Sequence, residues 1–542
     1  MSKKLGLALL ALLVLTPAAA RAEYTVRGKG RLIAKEGTTE LPVPRARVQL
    51  MDQDSDFDEV MAVGTTDASG AFDLTGKAED SFTLCDGCDH PDPYIKFILI
   101  DEGRVDVHNI WGSTHFGLSS VHEDQKGTID WGKTQFEHDE MLYPRLFRHV
   151  QVQYAKFTEL TGDAHVPGGT VGVTVPEVLE FGVPWTGVEN IHWPGDFKSV
   201  EDTRKVFHEF GHRIRHRADG DLGHFIGDTM LFRYARSHSM KEHSNLGFAF
   251  NEGWAEYHAT LLDPEARDRL VNWTILEPGA EEDEIEGNVA KKIFDLSIRC
   301  GGFKAIWAAL KSGTGKSIDG GPAGAQTGVH SYKQLESLVL KGGTCQPKLT
   351  IPPSVMPRIP LPSVSPTVAL NDQSAAVAKL LASLDARASK PAKPKWTAAR
   401  LAKLPAALQA PVKRIADKRE AHAKTHETAM RAALRGFTQS VKPATTQTAS
   451  DGSYERSVAA ARVNLLKTTG EPRMRQIAEI KADLARERAA TTDRRLQAYI
   501  DRLVRRYGEQ ENEIRRALAN PAAPLPDALV PRSFGHAVVA AP

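Results

Sequence analysis

The sequence predicts a multidomain chain with an N-terminal all-β sandwich, an α+β domain in the middle and a C-terminal α-helical region. Three observations carry that prediction. Short apolar–polar alternations separated by turn residues fill roughly the first hundred positions. Seven prolines then crowd between Pro347 and Pro366, and beyond them the chain turns Ala-, Arg- and Lys-rich, with apolar residues recurring at helical spacing. A length of 542 residues excludes a single small module and agrees with about three domains.

The formal net charge of +1 removes any whole-chain argument for a nucleic-acid partner or an anionic surface. The total hides unequal parts. Between Asn371 and Asn520 there are 30 Lys+Arg against 16 Asp+Glu, a balance of +14, so the remainder carries −13. An acidic body precedes a basic helical region.

At the N-terminus, Lys3 and Lys4 precede an apolar stretch from Leu5 to Leu15, followed by Pro17 and Ala20-Arg21-Ala22. These are the three regions of a secretory signal peptide, predicted over residues 1–22 with the mature chain starting at Glu23. The rival reading is a membrane anchor, but the apolar run is short of the roughly 20 residues that span a bilayer. No later stretch is long and apolar enough, so no integral membrane span is predicted. The expected location is periplasmic or extracellular, where disulfides can form. With four Cys, the simplest scheme pairs Cys85 with Cys88 and Cys300 with Cys345. The competing reading of CDGCDH is a half-built zinc site of Cys85, Cys88 and His90, which lacks a second ligand pair nearby.

Residues 23–115 are predicted to form the sandwich. Val48 and Leu50 alternate with polar neighbours, Val60 to Thr66 form another strand, and Asp67-Ala68-Ser69-Gly70 is a tight turn leading into Ala71-Phe72-Asp73-Leu74. The segments PRARVQL, TTDASGAFDL (a hairpin) and DPYI resemble the transthyretin-like family of secreted β-sandwich domains, and the resemblance implies a fold far more than an activity. Asp52, Asp54, Asp56 and Asp58 alternate as if to hold calcium, but Phe57 and Val63 stand where an EF-hand loop needs Gly and Glu. A solvated acidic loop is the expected form.

Residues 125–346 carry the chemistry. In His208-Glu209-Phe210-Gly211-His212 a helix places both His one turn apart on one face, able to present two imidazoles to a single Zn²⁺, with Glu209 beside the metal as a general base for water. Val206, Phe207 and Phe210 supply the apolar surface of a buried helix. Chance is a poor explanation: with 19 His in the chain, about 0.04 such matches are expected. A catalytic zinc needs a third protein ligand, and Glu252 in Asn251-Glu252-Gly253-Trp254-Ala255-Glu256-Tyr257 is the candidate. Glu256 is placed to bond the free nitrogen of a ligating His.

HEFGH with NEGWAEY resembles the gluzincin metallopeptidases, whose aminopeptidase branch has an NEGxA segment containing the glutamate ligand. That resemblance implies a zincin-like metallopeptidase domain with one Zn²⁺ at His208, His212 and Glu252, Glu209 as catalytic base and Glu256 behind the ligands. The 39 residues between His212 and Glu252 are about twice the usual interval, which implies an insertion. Gly187-Val188-Glu189-Asn190 is similar to the aminopeptidase GxMEN strand but lacks its Met. His216 continues the one-turn spacing, and His224, His238 and His243 lie in the insertion; surface or structural roles are expected for the last three. His330, Tyr332 and Tyr257 are the candidates for stabilising an oxyanion.

Residues 347–370 are predicted to be a Pro-rich linker, 371–520 the basic helical region and 521–542 a disordered tail. Leu496, Ile500, Leu503, Tyr507, Ile514 and Leu518 form an apolar stripe for a partner helix, and Pro391, Pro394, Pro405, Pro411 and Pro443 are expected to divide the earlier part into shorter helices. The region reads as a solvated bundle, with an anionic cell-surface polymer as the sharper alternative and no nucleic-acid motif. The function expected is a secreted zinc peptidase acting on a peptide or protein substrate. Two alternatives stay open: an extracellular binding or adhesion protein on a catalytically inactive zincin-like scaffold, and a purely structural zinc.

Overall fold

The structure is a computed structural model that describes residues 23–53, 57–79, 90–177, 184–187, 190–195, 203–219, 239–241, 243–276, 282–316, 318–319, 327–342, 345–346, 382, 398–441, 453–521, 525–530 and 535–540. The predicted signal peptide, Cys85, Cys88, Asp54, Asp56, His224, His238 and the predicted linker lie outside them.

The N-terminal β domain is built from β1 (Glu23–Glu36), β2 (Thr39–Pro42), β3 (Arg47–Asp52), β4 (Glu59–Thr65), β5 (Ala71–Glu79) and β6 (Pro93–Ile98). Alternation puts Val26, Val48, Leu50, Phe72, Ile95 and Phe97 inside. The Asp67–Gly70 turn forms as expected: Asp67 Oδ1 accepts from the Ser69 and Ala71 amides at 2.8 and 2.9 Å. Gly70 has φ +76°, and a Cβ there would lie 2.3 Å from the Leu32 carbonyl oxygen. The turn does not close a hairpin, however. β4 bonds to β3 and β5 bonds to β1, so the turn carries the chain from one layer to the other. Gly64 and Gly76 let these layers meet, because a Cβ on either would strike Leu74 or Met61 at 2.5–2.6 Å.

The strand pairing runs across the expected boundaries at 115 and 125. After β7 (Ile100–Asp101) and β8 (Val105–His108) come β9 (Phe116–Leu118), β10 (Gly127–Phe136), β11 (Val171–Glu177), β12 (Trp185–Thr186), β13 (Asn190–Pro194) and β14 (His536–Ala540). The first sheet runs β2-β1-β10-β14-β9-β6-β3-β4, with β5 also on β1, so it claims β10 from the middle domain; a second sheet, β12-β13-β11-β8-β7, claims β7 and β8 from the sandwich.

The tail predicted to be disordered contributes β14, which pairs with β10 on one side and β9 on the other and joins the two halves of the first sheet. Packing explains this. Val538 is buried against Gly117, whose Cβ would come within 2.4 Å of it. His536 Nδ1 lies 2.8 Å from Glu140 and its Nε2 lies 2.8 Å from His115 Nδ1, beneath the Tyr143 ring.

In the second sheet β8, β11 and β13 are parallel and β12 is antiparallel at the edge. One face, with Val105, Val107, Val171, Val173, Ile191 and Trp193, shares a core with α1 (Leu142–Thr161) and α2 (Val206–Asp219). The helices α3 (Leu246–Ala259), α4 (Pro264–Val271), α5 (Glu286–Arg299), α6 (Gly302–Gly313) and α7 (Tyr332–Lys341) complete that body. A Cys300–Cys345 disulfide ties the end of α5 to the segment after α7.

The C-terminal region is helical: α8 (Ala398–Ala402), α9 (Ala406–Ser440), α10 (Ser453–Ala489) and α11 (Arg494–Ala519). Ion pairs Arg414–Glu487, Lys418–Asp483 and Lys481–Glu511 tie α9 and α11 antiparallel to α10. Leu496, Ile500, Leu503, Tyr507 and Ile514 are buried as the stripe predicts, and Leu518 packs beside them. Pro411 does not break α9. It sits in the second turn, where a missing N–H forfeits one bond close to a terminus whose first donors are unpaired anyway. Pro391, Pro394 and Pro443 lie outside the described residues. Among the described residues no helix is long and apolar enough to cross a membrane.

Candidate metal centre

The centre is made where α2 crosses α3. α2 buries Val206, Phe207, Phe210 and Ile214, which fixes which way the remaining face points. α3 starts at Asn245, whose side chain accepts the Phe248 amide at 2.9 Å, and is buried along nearly its whole length. The crossing is close because Gly211 has no side chain. A Cβ there would lie 3.0 Å from His258 Cβ and 3.1 Å from Ala255 Cα, and Trp254 Nε1 donates to the Gly211 carbonyl at 2.9 Å.

This crossing brings together His208, His212 and Glu252. The two Nε2 atoms are 3.0 Å apart, and each is 3.2 Å from Glu252 Oε2. Ligand atoms about 2.0–2.1 Å from a tetrahedral Zn²⁺ stand about 3.3–3.4 Å from one another, so the donor set fits such an ion in both chemistry and spacing. Glu256 Oε1 lies 3.3 Å from His208 Nδ1, a partner that would keep the proton on Nδ1 when Nε2 gives its lone pair to a metal. Arg269 backs Glu256 at 3.4 Å. Burial pushes the Glu256 carboxyl up, but His208 and Arg269 outweigh it and bring it down to about 2. Burial likewise disfavours charged His208, yet its bonds to Glu252 and Glu256 hold its pKa well above the usual imidazole value.

Glu252 is oriented from behind: Arg215 Nη1 donates to Asn251 Oδ1 at 2.5 Å, and Asn251 Nδ2 donates to Glu252 Oε1 at 3.3 Å. Arg215 is fully buried, donates to the Val329 carbonyl at 3.0 Å and lies over the Phe250 ring. Glu209 is also buried, and Thr186 of β12 donates to its Oε2 at 2.6 Å. Neither Thr186 nor Arg215 was legible as a partner of the site. Thr186 reaches Glu209 across 23 positions, and Arg215 acts through Asn251, with no motif or period marking either contact.

The other sequence candidates fall elsewhere. His216 stacks beside His212 at 5.9 Å between centroids but is not in the donor cluster. His243 pairs with Glu284 at 3.5 Å. Tyr332 donates to Glu336 at 2.9 Å on its own helix, Tyr257 bonds Ser297 on α5, and His330 bonds the Thr327 carbonyl. Gly187 and Asn190 form a turn through a 2.9 Å backbone bond, while Val188 and Glu189 lie outside the described residues. In the acidic segment, Asp52 is buried and accepts the Asp92 amide at 2.7 Å, and Asp58 accepts from Tyr94 at 2.8 Å; these two are structural rather than solvated. His90 meets the Tyr24 ring edge-on.

The transthyretin-like family matches residues 29–99, which identifies the N-terminal β domain as transthyretin-like. No curated protein matches the chain. A solved structure, a 9R-lipoxygenase from Cyanothece, is similar at 14% identity over 25% of this chain and 23% of that one, with a TM-score of 0.13. The chain thus spans less than a quarter of that structure, and at such a score the likeness carries no argument about fold or chemistry.

Proposed function

We propose that the chain is an exported zinc peptidase of gluzincin type that hydrolyses peptide bonds in a peptide or protein substrate. The observation that carries this reading is the convergence of His208, His212 and Glu252 on one point, with Glu209 between the two His in sequence. Zinc held there by His208, His212 and Glu252 would supply a Lewis acid that lowers the pKa of water and polarises a carbonyl. The chain's own residues do the rest. Glu209 takes a proton from the attacking water and returns it to the amine nitrogen as the C–N bond breaks, so that water ends as the new carboxyl and amine. Thr186 occupies Oε2 of Glu209, which leaves Oε1 for this proton traffic. Glu256 holds the His208 tautomer, and Asn251 holds Glu252. A disulfide is compatible with an oxidising compartment.

One observation favours a second reading, an extracellular binding protein on an inactive scaffold: the family match falls on the β domain and does not by itself indicate an activity. Metal content and cleavage separate the two. Zinc-loaded protein incubated with a peptide library should hold about one zinc per chain and cleave. Glu209→Gln should keep the metal and lose at least about a hundredfold in rate, and His208→Ala should lose the metal. A metal-free native protein, or Glu209→Gln as active as the parent, refutes the peptidase.

A further inference from the structure

The two residues of β12 face opposite ways. Thr186 points to α2 and donates to Glu209 at 2.6 Å, while Trp185 points to the other face of the sheet. There Trp185 stacks on His192 of β13 at 3.9 Å between centroids with 9° between planes, and the ring of Tyr454, in the first turn of α10, closes edge-on against both at 5.6 and 5.8 Å. The neighbouring Glu455 places Oε1 3.8 Å from His192 Nε2. It also lies so close to Gly187 that a Cβ on that residue would sit 2.0 Å from the same oxygen. Seven residues on, Arg462 donates to the Ile110 carbonyl at 3.0 Å, a second anchor of α10 on this body. Trp111, Trp185 and Tyr454 accordingly share the core of the C-terminal helices.

We propose that Thr186 is a positioning residue for Glu209, and that the C-terminal helical region holds it in place through the grip of Tyr454 and Glu455 on the β12–β13 turn. The basic helices are then part of the catalytic unit, not a separate appendage. The physical reason is that a two-residue edge strand has few bonds of its own. The Tyr454 ring closes across the edges of the stacked Trp185–His192 pair, and the adjacent Thr186 hydroxyl is held with it, where it fixes one carboxylate oxygen and thereby the direction of the other.

This inference rests on the peptidase reading, and its test keeps the two apart. In the zinc-loaded full chain, Thr186→Val, which keeps the shape and removes the donor, lowers kcat about tenfold with KM and zinc content unchanged, and Thr186→Ser restores kcat to within about twofold. Tyr454→Leu lowers kcat in the parent background but adds nothing in Thr186→Val, the non-additivity expected of residues acting through one another. Glu455→Gln, which keeps side-chain volume, is the milder arm and shifts kcat the same way. Independently of activity, backbone hydrogen exchange across 184–195 in the metal-free chain rises about fivefold or more in Tyr454→Leu and Glu455→Gln. Full kcat in Thr186→Val, additive effects, or unchanged exchange in both α10 variants overturns the proposal. Glu209→Gln as active as the parent overturns the peptidase reading instead.

Discussion

Gly211 lies inside the HEFGH segment but is neither ligand nor base, and the structure assigns it a geometric task. In Gly211→Ala the new Cβ would stand 3.0 Å from His258 Cβ, 3.1 Å from Ala255 Cα and 3.2 Å from His258 Cγ. All three atoms belong to α3, and one is backbone, so no flexible side-chain end can swing aside. Ordinary carbon contacts begin at about 3.4 Å, so α3 must retreat by a few tenths of an ångström. Glu252 rides on α3 and its Oε2 is 3.2 Å from both imidazole nitrogens. A retreat of that size carries it beyond the roughly 3.3 Å that a tetrahedral zinc requires. The overpacking costs about 1–3 kcal/mol, against about 1 kcal/mol of helix propensity gained by Ala, so the loss of stability is small. The metal site suffers more, with zinc affinity expected to fall about 10- to 100-fold. A competition titration against a chromophoric chelator measures this, beside thermal unfolding of the metal-free chain. Gly436 in α9 and Gly508 in α11 are the controls, since nothing lies within 4 Å of a Cβ at either. Ala at those sites should stabilise by about 1 kcal/mol and leave zinc affinity alone. Zinc binding by Gly211→Ala as tight as the parent's refutes the crossing argument.

Three further outcomes are expected. His258 is fully buried, and burial pushes its pKa down to about 3, so it stays neutral in the folded chain while the unfolded chain binds a proton below about 6.5. Its contribution is therefore fully present above about 6.5 and is lost as pH falls toward 3, by at most about 5 kcal/mol; His426, pushed down to about 4, acts in the same direction. Urea midpoints of parent and His258→Leu measured from pH 7 to 4 should converge, and parallel curves contradict the assignment. The Cys300–Cys345 bridge closes a separation of 45 residues, so the double Ala variant should lose about 4 kcal/mol in urea unfolding, and a reducing agent should bring the parent to the same midpoint. Asn251→Ala removes the bond that orients Glu252 and should weaken zinc binding about tenfold in the chelator assay, where an unchanged affinity refutes that role.

What was legible in the sequence was whatever a short local period encodes. His208 and His212, and likewise Glu252 and Glu256, are each four apart, and a helix turns that spacing into a shared face whatever its surroundings. The α11 stripe and the Asp67–Gly70 turn are local in the same sense. The differences in the sheets concern where a strand goes once formed. Ala71–Glu79 reads equally well as the second arm of a hairpin or as a strand in the opposite layer, and only the glycine-lined approach of β4 to β5 decides. His536–Ala540 is a short apolar run at the end of a polar stretch. Its partners Gly117, Phe136 and Glu140 lie some 400 residues earlier, beyond the reach of any periodicity.

The same limit explains why the sheets run across the expected domain borders while His208, His212 and Glu252 still meet at one point. A carboxylate beside two imidazoles requires only two helices crossing at a small residue, and α2 and α3 meet that with Gly211. Holding Glu209 at a fixed angle requires more, because a single-bonded carboxylate turns freely unless a donor stops it. That donor sits on the sheet edge, and the sheet edge is gripped from its far side by α10. A helix bundle that composition marks only as basic and solvated thus becomes, through Trp185, a neighbour of the base. Removing net positive charge from the outer faces of α9–α11 should therefore leave zinc binding and kcat untouched. Loosening Tyr454 should lower kcat without touching the metal, a split that a merely solvating role for the helices does not produce.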